Sequence, residues 1–306
     1  MPTHPRSAKL ALTLLSATLL PLTAAHAHAV VGDRVFPATL AVDDPGVSDE
    51  LNTQIGRFKS GDDGAPPTGT TTTSFDYTKT ITQDFGLSVG GAWLDNDGTR
   101  GFDNFSAGAK YVFYKDAPHE FMLSTGLDWD MGGTGAKSVG AESFSTLTPA
   151  LFVGKGMGDL PDSLGYLKPF AVTGSLGYAF PTRNFTTDPD SGDRERNAQS
   201  VAWGGTLQYS VPYLQQHVKD FGLPMPLANA IPTVEFAFET PTNGDSSGRT
   251  TGTVDPGVIF MGQTMQLGLE AQLPLNADSG HGVGYLAQVH FYLDDIFPHT
   301  LGRPIW

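Results

Sequence analysis

Three short stretches have residue types and spacings with chemical precedent. Gly86-Leu87-Ser88-Val89-Gly90 fits G-x-S-x-G, in which a strained strand-to-helix turn exposes a serine for nucleophilic attack. Here apolar and polar residues keep alternating through Trp93, which predicts an uninterrupted strand and leaves Ser88 without its elbow. Gly133-Thr134-Gly135-Ala136-Lys137-Ser138 approaches a phosphate loop but lacks a glycine directly before the lysine and sits between strand patterns, not before a helix. Asp188-Pro189-Asp190-Ser191-Gly192-Asp193 sets carboxylates at alternate positions around a glycine, as hard-cation loops do. Asp95-Asn96-Asp97-Gly98 is a shorter echo. No glutamate follows at the bidentate position, so Asp188, Asp190 and Asp193 are weak metal candidates and a solvated loop is expected. His119, His217, His281, His290 and His299 are scattered without ligand spacing. The sequence assigns no catalytic residue, metal or cofactor.

A more coherent set is formed by ionisable residues on the polar side of alternating segments: Lys110, Glu120, Asp128, Asp130, Glu235, Glu239, Glu270 and His290. If these segments are strands of a closed barrel, the set lines its lumen, and an acidic wall favours cations or polar neutral solutes over anions. The competing outcome is that the acids bond to inward Ser, Thr, Gln and Lys side chains and close the interior.

The elements that would position this set read clearly. After an irregular entry the chain falls into segments of about ten residues with period two, one face apolar and the other polar. In one of them Phe121, Leu123, Thr125, Leu127, Trp129 and Met131 alternate with Glu120, Met122, Ser124, Gly126, Asp128 and Asp130. Met265, Leu267, Leu269, Ala271 and Leu273 alternate with Gln266, Gly268, Glu270 and Gln272. Strands are predicted near 51–59, 70–81, 85–95, 103–114, 119–131, 143–155, 168–180, 199–211, 230–241, 252–262, 264–275 and 282–293. Twelve is the central count, within a range of 10–14. Arg57, Pro149 and Pro256 blur three of them, since proline removes a ladder donor.

Composition separates a membrane barrel from a soluble sandwich. Charged residues are only 16% of the chain, against ~25% in an average soluble domain, and Gly supplies 37 of 306 residues, well above the usual ~7%. The apolar faces carry Phe, Trp, Tyr, Leu and Val, while the polar faces carry mostly small residues and a few acids. That fits hydrocarbon outside and a polar lumen better than a large-residue core with a charged exterior. Segments near ten residues match the ~9–11 of a tilted spanning strand. Connections after odd-numbered strands are long and rich in Gly, Asp, Thr and Asn, whereas most of the others are tight turns, the asymmetry of outer-membrane barrels.

Acids outnumber bases 32 to 18, which argues against nucleic acid. The chain has no Cys, which excludes thiolate metal sites and disulfides. Arg6 and Lys9, an apolar run over 10–25 and two A-x-A frames ending at Ala27 and Ala29 read as a cleaved secretory signal. The expected organisation is a signal over 1–29 with cleavage after Ala27 or Ala29, a periplasmic N-terminal segment over 30–50, a barrel over 51–293 and a periplasmic tail over 294–306.

The entry Asp43-Asp44-Pro45-Gly46-Val47-Ser48-Asp49-Glu50-Leu51, the stretch Phe75-Asp76-Tyr77-Thr78-Lys79-Thr80-Ile81-Thr82-Gln83-Asp84-Phe85-Gly86-Leu87-Ser88-Val89-Gly90 and the ending Phe291-Tyr292-Leu293-Asp294-Asp295-Ile296-Phe297-Pro298 resemble a family of bacterial outer-membrane barrels. That family is named after the meta-pathway of phenol degradation and described as transporters. The resemblance implies a barrel in the outer membrane, lipid and the barrel-assembly machinery as partners, and passage of small, conceivably aromatic or apolar, solutes. It transfers no catalytic or binding residue. One departure is that the last good strand is followed by a tail to Trp306, whereas barrel assembly signals usually end the chain on an aromatic residue of the last strand.

The leading expectation is a passive channel or transporter for small solutes. The alternatives are a non-conducting structural or binding barrel, a lipid hydrolase of the outer membrane, for which no outward Ser and His pair is found, and a secreted soluble β protein.

Overall fold

The computed structural model describes residues 29–59, 68–187, 192 and 194–306. Twelve long strands build it: β1 (Glu50–Lys59), β2 (Gly69–Thr82), β3 (Phe85–Asn96), β4 (Ser106–Asp116), β5 (Phe121–Asp130), β6 (Thr146–Gly156), β7 (Phe170–Pro181), β8 (Ser200–Tyr209), β9 (Ala230–Pro241), β10 (Thr251–Met261), β11 (Met265–Pro274) and β12 (Gly284–Tyr292). Each pairs antiparallel with its sequence neighbour, and β12 pairs with β1 from Tyr285↔Arg57 to Tyr292↔Glu50, so the sheet closes on itself. Closure leaves no strand edge unpaired, which is what a sheet in hydrocarbon requires. Every strand end lies within three residues of the span expected from alternation.

The two blurred proline strands form, and the prolines leave a local mark. Pairing of β7 with β6 runs to Gly177↔Ala150 and resumes at Phe180↔Leu147, skipping Pro149. Pairing of β10 with β11 skips from Val254↔Leu273 to Gly257↔Glu270, across Pro256. Each proline removes one ladder donor without shifting the register.

Outward positions carry the exposed large residues, among them Leu87, Val89, Tyr111, Leu127, Leu151, Leu176, Leu207 and Leu269. A contiguous apolar girth of this size is a surface for lipid, not water. Aromatic pairs mark its two borders. Trp93 with Phe102 and Trp203 with Phe238, each 4.8 Å between centroids, stand at the end with the long loops. Tyr114 with Phe121 and Phe170 with Tyr209 stand at the end with the turns and both chain ends. Such rings suit the polar–apolar boundary of a bilayer.

The carboxyl tail folds back under the barrel. After the turn of helix Leu293–Ile296 it returns to the end of β2, where the N–H groups of Ile305 and Trp306 donate to the carbonyls of Thr80 and Ile81. Lys79 pins it there by donating to the carbonyls of Leu301 and Arg303 and to Asp49 at 2.7 Å. The last barrel strand is therefore the expected one, and the tail tucks against the rim.

The N-terminal segment departs from expectation. Residues 30–50 were expected outside the barrel, but 29–49 enter the lumen and form a plug. A short hairpin, Ala29–Val31 with Arg34–Phe36, sits at the turn end with Val31 and Phe36 packed on Val112, Met122 and Ala171. The chain then climbs, seats Leu40 against Ile231 and Ile259, and descends to β1. Wall glycines make the room. A Cβ on Gly268 would lie 2.6 Å from Leu40, one on Gly86 2.6 Å from Val47 and one on Gly154 2.8 Å from Pro45. Small inward residues are thus a mould for the plug, which is why the lumenal face reads as Gly, Ala, Ser and Thr.

Two outcomes follow. Gly268→Leu should fill the seat of Leu40 and loosen the plug while the barrel still folds. Trypsin should then cut the folded protein after Arg34, which is 1% exposed in the native state; resistance equal to wild type would refute the mould. In the tail, burial pushes Asp294 from an ordinary value of 3.8 up to about 7. A carboxyl raised on folding favours the folded state fully only below its unfolded pKa, and that contribution fades as pH rises toward 7. Asp294→Asn should therefore stabilise the barrel against denaturant at pH 8 and change little at pH 4.

Candidate functional site

The plug is an irregular backbone inside a barrel, so each of its peptide groups needs a partner from the wall. The central one is Glu235 of β9, fully buried, whose carboxylate accepts three successive N–H groups from Leu40, Ala41 and Val42 at 2.7, 3.0 and 2.7 Å. Consecutive amides that converge on one anion form a nest. Wall side chains take the plug carbonyls in turn. Gln266 donates to Ala38, Gln288 to Thr39, Gln54 to Leu40 at 3.1 Å, Lys110 to Asp44 at 2.9 Å and Ser124 to Pro45. These partners come from β1, β4, β5, β11 and β12, so the plug is tied across the lumen and not to one wall.

A second anchor closes the floor. Arg34 pairs with Glu120 at 3.0 Å with both side chains buried, donates to the carbonyls of Lys168 and Pro169, and lies 4.0 Å above the ring of Tyr213. Glu120 also accepts the N–H of Gly158. A buried pair of this kind is costly to break from one side, by roughly 3–5 kcal/mol, because the remaining charge is stranded.

Two chambers flank the plug tip, with Ala41 and Val42 in the walls of both. The inner one, about 300 Å³, is lined by Asp43 and Asp44 of the plug and by Glu50, Asp76, Lys110, Asp128 and His290 of the barrel. Lys110 pairs with Asp43 at 2.6 Å and stands 4.6 Å over the ring of Phe152. The outer one, about 440 Å³, opens toward the loops and carries Glu239 and Asp278 beside Trp203 and Phe238.

The structure sorts the eight residues expected in the lumen. Lys110, Asp128 and His290 meet in the inner chamber, and Glu239 lines the outer one. Glu235 and Glu270 face inward but are buried beneath the plug, on strands flanking the equally buried Asp255. Asp130 ends β5 at the loop end, exposed. Glu120 is a correction: it occupies the turn after β4 with φ 48° and seals the floor with Arg34 instead of lining a path. Asp43, Asp44, Glu50 and Asp76 were missed. For Asp76 the signal was present, since it alternates with the outward Phe75 and Tyr77; for Asp43 and Asp44 no periodicity existed to place them.

The weak motifs resolve locally. Ser88 lies within β3 in continuous extended pairing. Asp95 binds the Gly98 N–H and Arg100, and Asp97 binds the Gly69 N–H and Arg57. The Gly69 amide holds the Asp97 carboxyl below its ordinary range. Asp95 thus closes its own hairpin, and Asp97 ties that hairpin to β1 and β2. Asp188, Asp190 and Asp193 lie outside the described residues, as do residues 1–28 of the expected export signal. Among the described residues no group of His, Asp and Glu has the arrangement of a metal centre.

A closed twelve-stranded antiparallel barrel with an apolar girth, aromatic borders and a polar interior has the architecture of the outer-membrane β-barrels. No family model matches the chain, and no curated protein matches it in sequence. Among solved structures it is similar to the outer membrane channel from Pseudomonas putida F1, with 11% identity over 84% of this chain and 99% of that one and a TM-score of 0.56. It is also similar to the NanC porin, with 12% identity over 79% and 98% and a TM-score of 0.51. At these identities the likeness is one of fold.

Replacing Glu235 by Gln removes the charge from the nest and one of its acceptor oxygens. Hydrogen bonds to a charged group are worth roughly 1.5–3 kcal/mol each, so the undocked plug should rise about ten- to a hundredfold. The chain has no Cys, so a single Ala41→Cys reports this directly: its thiol should label faster with a water-soluble maleimide in the Glu235→Gln background, and an unchanged rate would remove Glu235 as the anchor.

Proposed function

We propose that this protein is an outer-membrane channel for passive passage of small solutes, shut in the present conformation by its own N-terminal segment. The observation that carries the reading is the acidic interior on both sides of the plug tip: Asp43, Asp44, Glu50, Asp76 and Asp128 in one chamber and Glu239 and Asp278 in the other. Such walls favour cations or polar neutral solutes. Fold likeness to a porin and to an outer membrane channel supports passage as the task. Lipid on the girth and the barrel-assembly machinery during insertion complete its partners.

Membership of the meta-pathway family is part of this proposal. Two of the three stretches that carry the resemblance converge on the inner chamber, with Asp43, Asp44 and Glu50 from the first and Asp76 and Ser88 from the second in its lining. A second reading, a non-conducting binding or structural barrel, is favoured by the plug itself, which is held by partners on opposite walls.

A reversible staple separates the two. A Cβ on Gly268 would lie 3.3 Å from Leu40 Cγ, so Leu40→Cys with Gly268→Cys places two sulfurs within disulfide reach. Planar-bilayer recordings should show no steps for the oxidised protein and cation-selective steps after dithiothreitol, with selectivity reduced by Asp128→Asn. Silence in both states would favour the non-conducting barrel. Equal currents in both would show that solutes bypass the plug.

A further inference from the structure

The inner chamber contains polar atoms that the fold leaves unmatched, beside a surplus of carboxylates. His290 is 1% exposed and neither ring nitrogen makes a hydrogen bond of good geometry; its Nε2 stands 3.2 Å from Glu50. Asn52 Oδ1, buried in the same wall, is an acceptor without a donor. Around them the carboxylates of Asp43, Asp44, Glu50, Asp76 and Asp128 can only accept when ionised.

Donors are scarce on the other side of the balance. Lys110 is the one fixed positive charge of the lining, and it is engaged with Asp43 and the Asp44 carbonyl. Ser48 is turned to Glu50, Thr78 to Asp76 at 3.2 Å, and the Gly46 N–H to Asp44. Among the described residues no side chain donates to Asp128, which lies against Gly108, where a Cβ would come 2.7 Å from its Oδ1. A buried acceptor without a donor is costly, and a chamber built almost wholly of acceptors is complementary to a ligand that brings donors and positive charge.

We propose that the inner chamber is a binding site for a small organic ammonium ion, its N–H groups directed to Asp76, Asp128 and the free acceptor of Asn52. An ammonium carries three donors and no acceptor, which matches the unmet set, whereas an anion or a neutral acceptor would add to the surplus. The volume of about 300 Å³ is at the lower end of ligand pockets, so the ion is a short-chain amine. The assignment names the solute class of the channel reading and rests on the lumen being the solute path.

Three four-carbon probes that differ chiefly in charge test it: 1,4-diaminobutane as a dication, 1,4-butanediol as its neutral counterpart and succinate as a dianion. Calorimetric titration into the full mature protein, refolded in detergent, should give saturable binding of the diamine at least tenfold tighter than of the diol, and none of succinate. Asp76→Asn with Asp128→Asn should weaken the diamine by tenfold or more, while Asp278→Asn in the outer chamber should leave it unchanged; either single inner variant serves if the double variant does not fold. Diamine binding no tighter than that of the diol, or insensitive to the inner variants, overturns the site. Bilayer currents keep the two readings apart: binding without conductance retains the site and removes the channel, and conductance without binding does the reverse.

Discussion

Glu235 is the point on which the interior depends. A carboxylate in the middle of a barrel wall, cut off from bulk water, must be matched by donors or be very costly. The wall strands spend their own amides on the ladder, and a chain that is not part of the sheet has amides to offer. The consecutive N–H groups of Leu40, Ala41 and Val42 do so. Once the plug must present those three amides at mid-barrel, the remaining features are constrained. The wall needs small residues where the plug passes, glutamines to receive its carbonyls, and a second tie at the floor where Arg34 meets Glu120. The low charge and high glycine of the chain are therefore consequences of two interfaces, lipid outside and plug inside.

The two halves of the lumen answer the same electrostatic demand differently. On the side of β9 to β11 the plug lies directly on the wall, and the space is filled by Leu40 against Ile231 and Ile259. On the side of β1 to β5 its contacts at Gly86, Lys110 and Ser124 leave a space between them, and the acids there face a chamber. The division follows from the path of one short segment, which lies flat on the wall at Glu235 and touches the opposite side at separate points.

Much of the fold was legible because a strand in a barrel writes its environment into the sequence at period two. Phe121 to Asp130 or Met265 to Leu273 can be read residue by residue, and the structure turns them as expected. Pro149 and Pro256 weakened the signal but each costs only a local gap in pairing. The plug was illegible for the complementary reason. Residues 37–49 have no repeating geometry, and their strongest bonds use backbone amides, which no side-chain pattern reveals. Their trace was indirect, in the wall: the inward glycines at 86, 154 and 268 were read as generic smallness, although a filled barrel needs them opposite something large. Glu120 was misplaced because alternation was extended one residue past the strand, into a turn where φ becomes positive.

The tie between Gln288 and Thr39 joins residues 249 positions apart in the chain, and the Glu235 nest spans nearly 200. Contacts of such sequence separation are slow to form because much chain must be ordered before they are made. The seat of the plug is complete only when β9, β11 and β12 have joined the sheet, so its docking is coupled to closure of the whole barrel and not to the formation of any one hairpin.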